Sequence, residues 1–73
     1  MDDVTRGQAV VVRTATGESL AKRAVSGVEP GHDFPIVWVC REEEWQSAEA
    51  ERREPDAVPW PAEDVTPVER VNA

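Results

Sequence analysis

The run "PIVWVC", from Pro35 to Cys40, is the most apolar stretch of the chain and the tightest constraint on its fold. It is too short for a buried helix, which needs about 10 residues or more, and it carries β-branched valine and isoleucine. It specifies a central strand. Such a strand must find hydrogen-bonded neighbours on both sides, because buried main-chain groups cannot stay unpaired. The remaining segments therefore have to supply a sheet around it.

The preceding residues can do this. "GQAVVVRT" (Gly7–Thr14) is rich in valine and alternates Val10 and Val12 on one face with Val11 and Arg13 on the other. "ATGES" follows, where Gly17 can adopt the positive φ of a tight turn. "LAKRAVSGV" (Leu20–Val28) returns as a weaker strand, and its small residues with Gly27 predict a bend or bulge. The Pro30-Gly31 pair marks "EPGHDF" as a loop.

After Cys40 the pattern changes. "REEEWQSAEAERREP" contains no β-branched residue and is built from good helix formers. Glutamates at its start and arginines at its end match the helix macrodipole. Glu49 and Arg53 form an i,i+4 pair in the favoured order, and Pro55 ends the segment. The expectation is a helix over Glu42–Arg53. Trp45, with Ala48, is its only sizeable apolar contact, so the helix reads as an insertion pinned by one tryptophan.

"VPWPAEDV" (Val58–Val65) comes next. "DAVPW" can form a short edge strand, "PAED" suits one 3₁₀ turn, and Val65–Val71 alternates as a last strand. In this order the chain resembles the small five-stranded barrels of the Src-homology-3 type. In these barrels an aromatic-Pro pair leads into a one-turn 3₁₀ helix, and a valine opens the closing strand. The resemblance implies a mainly β fold, a small antiparallel barrel of about five strands. The helix at about 42–53, between strands three and four, replaces what is normally a tight turn. Specific sequence likeness is confined to those eight residues. Peptide-binding members use a tyrosine-rich loop, and this chain has no tyrosine, which argues against proline-rich ligands.

With 73 residues there is room for one domain, taken as 1–73 with short flexible ends at 1–5 and 72–73. The net charge of −7 lies wholly beyond Arg41, where ten acids face three arginines. That balance argues against direct binding of nucleic acid. No stretch resembles a membrane span or a signal peptide, and with a single cysteine there is no internal disulfide. A cytoplasmic protein is expected. Seven arginines to one lysine suggest a GC-rich, bacterial coding sequence.

Catalytic equipment is sparse, and no enzyme activity is expected. Cys40 ends an apolar strand, where a thiol is usually packed and inert, and His32 sits in a Pro-Gly loop. One His and one Cys cannot furnish a zinc site, and consecutive Glu42, Glu43 and Glu44 point about 100° apart on a helix. No cofactor or metal is expected. Trp38 is assigned to the core. The expected function is that of a small interaction module, presenting an acidic helical face to a protein partner with a basic surface. Glu42, Glu43, Glu44, Trp45, Glu49 and Trp60 are the candidate contact residues. The alternative is an acidic decoy that mimics nucleic-acid phosphates and blocks a DNA-binding protein. Three tryptophans on a modest core also leave a homodimer open.

Overall fold

The computed structural model describes residues 4–68. The order is β1 (Ala9–Arg13), β2 (Ser19–Ala24), β3 (Ile36–Cys40), α1 (Glu42–Glu51), β4 (Val58–Pro61), a 3₁₀ turn (Ala62–Asp64) and β5 (Val65–Pro67). The five strands form one antiparallel sheet in the order β4-β3-β2-β1-β5. The protein is mainly β, with its helix between the third and fourth strands. This arrangement is compatible with a Src-homology-3-like fold.

The inner face of the sheet is a valine core. Val10, Val12, Val37 and Val39 are fully buried, joined by Val4, Ala24 and Val65, with Trp60 and Ala62 packed against them. Alternation accounts for this, since every second residue of a strand shares a face. Val4, the first residue described, is buried in the core, and the Thr5 N–H donates to Gln8 Oε1 at 3.0 Å. Residues 1–3 and 69–73 lie outside the described residues, with the expected tail at 72–73 and the far end of the last strand.

The bend expected near Gly27 is present. β2 pairs with β3 through Arg23–Cys40 and Ala24–Val39, the Val25 N–H still donates to the Trp38 carbonyl at 2.7 Å, and the next bridge is Glu29–Ile36. Between these points the β2 side has two more residues than the β3 side. Ser26 Oγ accepts the Trp38 N–H at 3.2 Å, so a side chain fills a gap in the ladder.

Three expectations need correction. First, the sheet does not close, and among the described residues no ladder joins β4 to β5. Both are short, and Pro59, Pro61 and Pro67 have no N–H to donate. A side chain spans part of the gap, as Trp60 Nε1–H donates to the Arg13 carbonyl at 3.0 Å, tying β4 to the end of β1. Second, Trp38 is not core but is 36% exposed. Val37 and Val39 take the inner face, and a chain this small has too little mass to cover all of the outer one. Third, the helix stops at Glu51 rather than Arg53. Arg52 turns left-handed at φ 56°, and the Arg53 N–H donates to Ala48 O at 3.0 Å. The last turn thus carries no basic residue, and Arg53 pairs with Glu44 and Glu51 rather than Glu49.

Candidate functional site

The acidic helix is less free than its sequence suggests. The Glu42 carboxylate takes hydrogen bonds from Arg23 Nε at 2.9 Å and Gln46 Nε2 at 2.8 Å. Glu44 accepts from Arg53 Nη1 at 2.6 Å and from the Asp56 N–H at 2.8 Å. Glu51 accepts from Arg53 Nε at 2.7 Å. Three of these acids therefore hold the helix and its exit loop in place. Glu43 and Glu49 are exposed, and among the described residues neither has an ion-pair partner.

These bonds displace the carboxyl equilibria. Hydrogen bonding from Arg53, then from the Asp56 N–H, holds Glu44 down to about 2 from its ordinary 4.5. Glu42 is lowered chiefly by Arg23, and Glu51 chiefly by Arg53. A carboxylate with a depressed folded-state pKa stabilises the fold above its unfolded value. For Glu44 that contribution fades as pH falls from about 4.5 towards about 2. Glu44→Gln should therefore lower the urea midpoint at neutral pH and converge with the parent protein near pH 2. A constant offset at every pH would show that the carboxylate's charge contributes nothing.

Trp45 is committed to docking the helix. It is 9% exposed, with Arg6 Cζ 5.4 Å and Arg23 Cζ 5.9 Å from its ring centroid. Gly7 leaves room beside it, since a Cβ there would sit 3.3 Å from Trp45 Cζ2. Arg6 donates to Val25 O and Arg23 to Gly7 O, both at 2.9 Å, so both guanidiniums are fixed over the indole. Trp45 thus leaves little open surface. Cys40 is buried nearby, and burial, then the charges of Glu44 and Glu42, push its thiol pKa up. Such a thiol is a poor nucleophile at neutral pH.

Trp60 lies in different surroundings. It pairs with Val37 across the β3–β4 ladder and is half-buried. Around it, at the β4 edge, an open cavity of about 350 Å³ is lined by Asp33, Phe34, Trp38, Pro59, Trp60 and Pro61, among others. A second cavity of about 390 Å³ shares Pro59, Trp60 and Pro61 and continues towards Arg13, Ala15 and Asp64. Phe34 is 52% exposed. The two cavities lie on either side of β4: Trp38 and Pro59 face outward into the first, whereas Trp60, opposite the buried Val37, packs on the core and bonds Arg13 beside the second.

Of the six residues expected to meet a partner, Glu42, Glu44 and Trp45 come together at the helix base as structural elements. Glu43 and Glu49 remain on its open surface, and Trp60 packs against the core, tied to the Arg13 carbonyl. Phe34, Trp38, Pro59 and Pro61 were missed. Strict alternation in "PIVWVC" was the signal for Trp38, because a one-sided sheet cannot bury both faces. His32 is almost fully exposed, with Nδ1 3.4 Å from Asp33 Oδ1. Among the described residues no cluster of His, Cys, Asp or Glu is placed to hold a metal ion, and no helix is long and apolar enough to cross a membrane. Compared with protein-family models, curated proteins and solved structures, the chain matches none.

Proposed function

We propose that this protein is a small non-enzymatic interaction module, of Src-homology-3-like barrel ancestry, that binds a protein partner with a basic surface. The observation that carries the reading is the gathering of exposed Phe34 and Trp38 with Pro59 and Pro61 around one open groove beside Asp33. Exposed aromatics in a well-formed pocket are the usual centre of binding energy at protein interfaces. Asp33 at the groove, with a chain charge of −7, favours a cationic partner and speeds its approach.

This shifts the contact surface expected from sequence. The helical face retains Glu43 and Glu49 as charges for long-range attraction, while the groove supplies the desolvated centre. The decoy alternative has less support. It needs unneutralised acids in rows, whereas Glu42, Glu44 and Glu51 are paired with arginines.

A photo-crosslinking amino acid at position 34 tests the assignment in cells of the source organism. A discrete adduct with a basic protein is expected, lost when Trp38→Ala is added. The same crosslinker at Glu49 should give weaker adducts. Adducts from Glu49 that persist in Trp38→Ala, with none from position 34, would return the interface to the helix.

A further inference from the structure

Resting on that reading for the identity of the partner, we infer that neither free edge of the open sheet takes a second strand. The partner is then held by side chains on the outer face of β3 and β4, and not by its main chain. An open sheet ending in β4 and β5 leaves each of them with one unpaired side. Such a side is a template for any extended segment unless something blocks it.

The register shows where each main-chain group of β4 points. In an antiparallel pair, alternate residues exchange hydrogen bonds with the neighbour, and those between them face away. The Ala62 N–H donates to Pro35 O at 2.9 Å, in step with the Trp60–Val37 and Val58–Val39 pairs. Val58, Trp60 and Ala62 therefore face β3, which puts Pro59 and Pro61 on the free side. Proline has no N–H, so the free edge of β4 has no donor to offer.

β5 reaches the same end by another route. The Val68 N–H donates to Ala9 O at 2.9 Å, in step with the Thr66–Val11 pair. Val65 and Pro67 are left on the free side. Pro67 has no N–H, and that of Val65 is occupied by Ala62 O at the end of the 3₁₀ turn. Over the described residues both edges thus lack free donors. An added strand would bury carbonyls of its own with nothing to bond them. The hydrogen bond that does cross from β4 to the far side comes from a side chain, Trp60 Nε1–H on Arg13 O.

Lysine and arginine suit such an edge, because they carry donors and no acceptor. Pro59 and Trp38 pair on the outer face right beside it. Charge and hydrogen bonding therefore select the same partner, a folded basic surface with projecting side chains rather than an extended segment.

The test uses the full chain, with a second copy of it as the strand donor, in high salt to screen the charge of −7. Sedimentation velocity and amide hydrogen exchange are the readouts. The parent protein should stay monomeric up to its highest soluble concentration. Pro59→Val gives β4 an outward N–H, and Pro67→Val gives β5 one. Each variant should double its mass as concentration rises, with the new amide protected in the dimer. The two are made separately, so that one misfolded variant leaves the other edge to decide. Variants that remain monomeric would overturn the inference. A monomer with a raised urea midpoint would do so too, because the new N–H would be closing the sheet on itself. Association of the parent that survives Trp38→Ala would also overturn it. Association abolished by Trp38→Ala would uphold the closed edges and overturn the basic-partner reading, placing a second copy on the groove.

Discussion

Replacing Trp45 with alanine is expected to destabilise the protein by about 3–5 kcal/mol, the range for truncating a buried tryptophan. The whole fold holds only roughly 4–11 kcal/mol at this length, so the variant should sit near its unfolding threshold. The reason lies in how the helix is held. α1 has ten residues, no side-chain cap at Arg41 and only Trp45 and Ala48 buried. A helix that short does not persist alone in water. Trp45 also gives Arg6 and Arg23 a surface, and those arginines bridge to Glu54, Glu42, Val25 O and Gly7 O. Urea titration followed by far-ultraviolet circular dichroism should show a lower midpoint and lost helical signal. Cys40, buried beside the helix start, should react faster with a thiol reagent as the helix undocks. Trp45→Phe keeps an aromatic face for the arginines and should recover most of the stability. A midpoint unchanged in Trp45→Ala would mean the helix is held by its ion pairs alone.

That dependence was legible in the sequence, because Trp45 was the one large apolar residue in a run of helix formers. The strands were legible for a similar reason, since valines at alternate positions leave little choice of face. The bend at Gly27 followed from small residues in a strand pattern. What stayed hidden was set by distant partners. A helix to Arg53 is expected because helix formers run on to Pro55, and Glu49–Arg53 adds a local pair worth a few tenths of a kcal/mol. Arg53 is drawn instead to Glu44, which also accepts the Asp56 N–H, and that bidentate contact outweighs the local pair. Trp38 was misread because hydrophobicity was weighed above alternation. The groove escaped notice because it combines a loop, an outward strand residue and an edge strand, which are far apart in sequence. Closure of the barrel was over-read from element order, which cannot count the hydrogen-bond donors that three prolines remove from two short strands.

Gly31→Ala should have the largest effect of any single methyl on the groove. A Cβ at this position would run into the Phe34 carbonyl and come within 2.9 Å of Ile36 Cγ2. The carbonyl is main chain, so the collision cannot be relieved by a rotamer change. The segment from Gly31 to Pro35 has to move, and it carries both Asp33 and Phe34. Overpacking of this kind costs about 1–3 kcal/mol. The sheet beneath should survive, because the Glu29–Ile36 bridge and the valine core lie on either side of the loop. Circular dichroism should therefore report a folded protein with a lower urea midpoint, while binding at the groove falls as far as in Phe34→Ala. Gly17→Ala is the matched control. Its φ of +89° is unfavourable for alanine, at a cost of about 1 kcal/mol, but a Cβ there meets nothing within 4 Å. Gly17 sits in the β1–β2 turn, away from the groove-lining loop. It should lose stability and keep binding. If Gly31→Ala gave the same position-49 and groove adducts with the partner as the parent protein did, the His32–Phe34 loop would have no part in recognition. The site would then shrink to Trp38 and the two prolines.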